Sequence, residues 1–91
     1  MTQESTTNIV KKFYTNGEVE DVNEKMTLAE MQAFVGGDIE FVRTRVSRRS
    51  LVVNEEGTIE NLPPNVEASK VIHPEVLVLD FIRGNALLVK G

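Results

Sequence analysis

Thr27-Leu28-Ala29-Glu30 and Gly36-Gly37 fix both ends of one short helix, and that helix limits what the rest of the chain can build. Thr27 can accept from the amide at the third helical position while Glu30 reaches back to the amide of Thr27, a capping box. Leu28, Met31, Phe34 and Val35 recur at helical spacing between these signals, and a glycine after them supplies the left-handed residue that stops a helix without steric cost. About two turns fit in between. The segments on either side carry strand patterns, so this helix belongs with a sheet.

Alternation predicts a strand over Asn8 to Tyr14, and Asn16-Gly17 after it favours a tight hairpin turn. The return arm, Glu18 to Val22, is acidic and short, which suits an exposed edge strand or a loop. Asp38 to Val46 reads as a strand with Ile39, Phe41, Arg43 and Arg45 on one side. Ser47 to Ser50 is a polar turn, and Leu51-Val52-Val53 a short β-branched strand. Asn54-Glu55-Glu56-Gly57 then turns the chain, and Thr58 to Leu62 resumes, giving a second hairpin. Leu62-Pro63-Pro64-Asn65 interrupts the sheet because proline cannot donate to a ladder, and Asn65 is placed to cap a short helix through Val71. His73-Pro74 stops that helix. Val76 to Ile82, the turn Arg83-Gly84-Asn85 and Ala86 to Val89 complete a closing hairpin. The expectation is an α+β domain, a small antiparallel sheet with two short helices, over residues 8–91 behind a flexible tail at 1–7.

Composition narrows the function. A chain of 91 residues holds one modest core and leaves no room for a cleft between two domains. Zero cysteines exclude a disulfide scaffold, thiolate zinc, an iron–sulfur cluster and a cysteine nucleophile, and a cytoplasmic setting is expected. The longest apolar run, Val76 to Leu79, is far short of the roughly 20 residues of a membrane span. A formal charge of −4 argues against a partner such as long nucleic acid, whose affinity comes from many phosphate contacts.

Motifs that suggest chemistry have plainer explanations. Gly36-Gly37 follows its helix, where the dipole is negative, and lacks the Lys-Ser/Thr of a nucleotide loop. Asn54 to Gly57 lacks the spaced oxygen ligands of a calcium loop. No metal or cofactor is therefore expected. His73, the single histidine, has no partner nucleophile, since Ser47, Ser50 and Ser69 carry no elbow or triad pattern. Carboxylate pairs such as Glu55 with Glu60 or Glu75 with Asp80 are unavoidable among fourteen acids. A non-enzymatic role follows.

The remaining feature is a basic cluster. Arg43, Arg45, Arg48 and Arg49 are four of the ten basic residues, and the other six with the fourteen acids would give −8. Strand spacing would aim Arg43 and Arg45 to one side, and the planar guanidinium suits bidentate recognition of phosphate. Lys11 and Lys12 would join the cluster if the first strand lay alongside. Phe13, Tyr14 and Phe41 are candidates for an apolar or aromatic surface against a base. The competing account is a solvated strand edge, or arginines paired with Glu18, Glu20, Asp21 and Glu24 of the same or a neighbouring chain.

Three segments, Leu28 to Glu40, Val53 to Gly57 and Leu62 to Asn65 with Glu67-Ala68, together with Asp80 to Val89, resemble a small domain family of unknown function common in phages, plasmids and other mobile elements. The resemblance implies a mobile-element origin and brings no enzymatic activity. By analogy with small phage proteins that act against host defences, it implies a sponge that sequesters a phosphate-bearing nucleotide second messenger, such as a cyclic nucleotide or an ADP-ribose derivative. A chain this small would form its pocket between identical subunits, so a homo-oligomer is expected. The alternative is an inhibitor whose acidic surface docks on a host protein.

Overall fold

Asn16 and Gly17 turn the chain as the sequence predicts: Gly17 sits at φ 95°, and the Asn16 side chain accepts from the amide of Glu18. They join two strands, β1 (Thr6–Phe13) and β2 (Val19–Thr27), into an antiparallel hairpin. The structure is a computed structural model that describes residues 5–57, 60–72 and 82–90. After β2 come α1 (Leu28–Val35), β3 (Ile39–Arg43), β4 (Arg49–Asn54), α2 (Val66–Ser69) and β5 (Ala86–Lys90). The five strands form one antiparallel sheet in the order β2-β1-β5-β4-β3. The protein is mostly β, with two short helices.

The order has one decisive consequence. β2 and β3 lie at opposite edges, so α1, which links them, must cross one face of the sheet. Its ends are the predicted ones: Thr27 Oγ1 accepts from the Glu30 amide at 3.2 Å, and Glu30 Oε1 accepts from the Thr27 amide at 2.8 Å. Gly36 at φ 86° closes the helix with its amide on the Gln32 carbonyl. Beneath the helix, Met31 and Val35 pack on Ile9, Met26, Val52, Leu87 and Val89. The opposite face buries Phe13, Leu51, Val53, Ala86 and Leu88 under Ala68 and Ile72 of the α2 segment. Because both faces are covered, Leu51 to Val53 and Ala86 to Val89 are buried without a break, although their side chains alternate. Each full burial of such an aliphatic side chain is worth about 1.5–3 kcal/mol.

Buried amides tie these layers together. Asn54 Nδ2 donates to the Val35 carbonyl at 3.2 Å, holding the end of α1 to the sheet. Asn65 caps α2 by accepting from the Ala68 amide, as expected, while its Nδ2 donates to the carbonyls of Phe13 and Gly84.

Several expected boundaries move. β1 begins at Thr6, paired with Thr27, so two residues assigned to the tail belong to the sheet. β2 is a full nine-residue edge strand rather than a short arm. β3 stops at Arg43, because the Thr44 hydroxyl turns back onto the carbonyls of Val46 and Arg49. α2 ends at Ser69 and not at Val71, since Ile72 is drawn into a bridge with Thr44. The hairpin expected across Asn54 to Gly57 does not form among the described residues: β4 is flanked by β3 and β5, and residues 60 and 61 turn. Both edges of Leu87 to Val89 are taken by β1 and β4, which leaves no edge there for the closing hairpin. Most of its proposed first arm, and Thr58-Ile59, lie outside the described residues.

Candidate functional site

β3 and β4 form a hairpin whose last pair is Arg43 with Ser50; the turn between them carries Arg45 and Arg48, and Arg49 opens β4. Thr44 shapes this turn. Its buried hydroxyl accepts from the Val46 amide at 3.1 Å and lies 3.0 Å and 2.9 Å from the carbonyls of Val46 and Arg49, while the Arg49 amide closes on Val46. Arg45 is anchored through its amide to the Val71 carbonyl, so it is placed by the turn and not by strand alternation with Arg43. Arg48 adopts φ 58°, a left-handed conformation that costs a non-glycine residue about 1–2 kcal/mol. Strain of this kind is retained where neighbouring structure demands it, and it collects at functional sites.

These residues surround an open hollow of ≈ 580 Å³ lined by Phe41 to Ser50. Phe41 presents its ring to solvent, 56% exposed, and Val46 is also exposed. Among the described residues, none of Arg43, Arg45, Arg48 and Arg49 has a carboxylate within 4.0 Å. The half-buried Arg49 donates from its guanidinium to the Arg48 carbonyl at 3.1 Å. The pairing considered with Glu18, Glu20, Asp21 and Glu24 of the same chain is excluded by the sheet order. Those acids lie on or beside β2, four strand spacings from β3, about 19 Å.

The structure places four of the predicted site residues apart from the arginine turn. Lys11 and Lys12 lie on β1, separated from β3 by β5 and β4, about 14 Å away. They pair with acids instead: Lys11 with Asp21 at 3.2 Å, and Lys12 with Glu24 at 3.1 Å. The hydrogen bond to Glu24 raises the Lys12 pKa above the ordinary lysine range, against the opposing effect of burial. Phe13 is buried in the core and offers no surface to a ligand. Tyr14 sits at the opposite end of the strands from the arginine turn, where its ring meets Phe34 edge-on at 5.4 Å and its hydroxyl donates to Glu20 at 3.2 Å. Burial and that bond to Glu20 both raise its pKa. The hollow beside it, lined by Tyr14, Glu18, Val19 and Glu20, is acidic and unsuited to phosphate.

Thr44 and Lys90 are the residues that sequence reasoning missed. Thr44 carries the turn geometry, and Lys90 of β5 is the strand partner of Arg49. No sequence pattern could have found Lys90, because the pairing depends on β5 inserting beside β4. His73 and the Glu75–Asp80 pair lie outside the described residues. Among the described residues, no group of three or more His, Asp or Glu side chains could hold a metal. No helix there is long and apolar enough to cross a membrane.

Fold and site together define a small antiparallel domain with a cationic hairpin at one end of its sheet. The chain belongs to the family described as a domain of unknown function (DUF3846), which matches residues 9–91. No curated protein and no solved structure matches it.

Proposed function

We propose that this protein is a non-enzymatic sponge, of the phage anti-defence type, which sequesters a phosphate-bearing nucleotide second messenger at the β3–β4 hairpin. One observation carries the reading: four arginines and an exposed phenylalanine line a single hollow in which, among the described residues, no carboxylate neutralises the charge. Clustered cations without counter-charges repel one another, and a bound phosphate relieves that repulsion. Phe41 supplies a face for a base. The remaining surface is acidic in sum, which favours a small anion over a polymer. The hollow is open, so a second subunit supplies the missing wall, and the working form is a homo-oligomer.

Calorimetry against a cyclic dinucleotide and against ADP-ribose tests the reading. Binding is expected for one of them in the native protein and lost in R43E/R45E, with an unchanged circular-dichroism melt. Retained affinity in that variant overturns the assignment. Native mass spectrometry of the same samples reads the subunit number.

A second reading rests on β2, a nine-residue edge strand with Glu20, Asp21 and Glu24 exposed. Such an edge suits a basic protein partner. Capture of a host protein that depends on Glu20 and Asp21, without nucleotide binding, would favour it.

A further inference from the structure

Arg49 opens β4 and Lys90 closes β5, and the register sets them directly opposite each other. Cross-strand partners hold their Cβ atoms about 4.5–5.5 Å apart, and like charges in that position destabilise a sheet. Nothing described offsets the repulsion. Neither side chain has a carboxylate within 4.0 Å among the described residues, and the next pair along, Ser50 with Val89, is uncharged. Lys90 is exposed and Arg49 half-buried, so the amine remains open to solvent.

Strand alternation assigns the faces. Arg49 and Lys90 share the face of Leu51 and Leu88, which is the α2 side. Arg43 is opposite Ser50 and shares the α1 side with Phe41, which is opposite Val52. The cations therefore flank the end of the hairpin: Arg43 beside Phe41 on one face, Arg49 with Lys90 on the other. The two sets of cations stand on opposite faces of one sheet, so a single phosphate group resting against one set does not rest against the other.

Resting on the nucleotide reading above, we infer that Arg49 and Lys90 form a second phosphate subsite, so that the ligand of this hairpin is a nucleotide bearing at least two phosphate groups. One phosphate sits against Arg43 with the base on Phe41. The other passes around the turn carrying Arg45 and Arg48 to the Arg49–Lys90 pair. Lys90 contributes as a point charge, and Arg49 supplies the directional donors.

Calorimetry with AMP and ATP on the native protein and on K90Q and K90R separates the outcomes, because the triphosphate tail is long enough to follow the turn. The native protein is expected to bind ATP at least tenfold more tightly than AMP. K90Q is expected to remove that preference, and K90R to keep it. Equal binding of AMP and ATP by the native protein, or an ATP preference that survives K90Q, overturns the second subsite while leaving the nucleotide reading intact. Absence of binding by AMP, ATP, the cyclic dinucleotide and ADP-ribose alike overturns that reading and the subsite with it.

Discussion

Asn65 donates its side-chain amide to the carbonyl of Phe13 at 3.2 Å, across a separation of 52 residues. The same nitrogen reaches the Gly84 carbonyl at 3.0 Å, and the oxygen caps α2 through the Ala68 amide. One buried side chain thus joins the end of β1, the approach to β5 and the start of α2. Replacement by alanine strands two buried carbonyls and removes the cap, a loss of about 2–4 kcal/mol. Urea denaturation of N65A should show a clearly lowered midpoint. N65D should be similarly weak at neutral pH, because a carboxylate can cap but cannot donate.

Arg48 separates stability from binding. Its left-handed backbone suits glycine, so R48G should stabilise the fold by about 0.5–1 kcal/mol and raise the thermal midpoint. The same change removes one cation from the hollow and should weaken nucleotide binding. A variant that is more stable and binds equally well would show that the Arg48 side chain has no part in the site.

Gly84 lies at φ 84°, and its amide donates to the Pro63 carbonyl at 2.8 Å. A Cβ there would come within 2.9 Å of Leu62 Cδ1, the mobile end of a side chain that can swing aside. The backbone conformation therefore sets most of the cost, and G84A should lose about 1–2 kcal/mol. Shortening Leu62 in the same chain should recover little of it. Chemical denaturation of the single and double variants checks both statements.

Lys12 and Tyr14 both have folded pKa values raised above their ordinary ones, Lys12 chiefly by the bond to Glu24 and Tyr14 chiefly by burial. A raised folded value means that the native state holds its proton more tightly than the unfolded chain. The associated stability is complete below the unfolded values of about 10.4 for lysine and 10 for tyrosine, and it is lost as pH rises through the folded ones. The denaturation midpoint should show no such loss between pH 7 and 9 and should fall above pH 10. E24Q and Y14F should each make that alkaline fall shallower.

Local chemistry was legible in the sequence. The capping box at Thr27 and Glu30, the stop at Gly36, the turn at Asn16-Gly17 and the cap at Asn65 all depend on neighbours a few residues away. Partnership between strands was not. Nothing in Ala86 to Lys90 says that it enters between β1 and β4, and that insertion separates Lys11 and Lys12 from the arginines and brings Lys90 to Arg49. Alternation likewise placed Phe13 and Phe41 on strand faces without saying which positions would be covered. Phe13 lies under the α2 segment, whereas Phe41 remains exposed on the α1 side.

The central place of β5 also dictates an order of assembly. β1 with β2, and β3 with β4, can each close as a local hairpin once its turn is made, yet the two hairpins have no strand contact with each other. They become one sheet only when β5, the last strand in chain order, slots between them. Until Ala86 to Lys90 are in place only α1 spans the two hairpins, no strand ladder joins them, and the arginine turn meets Lys90 only in that final step.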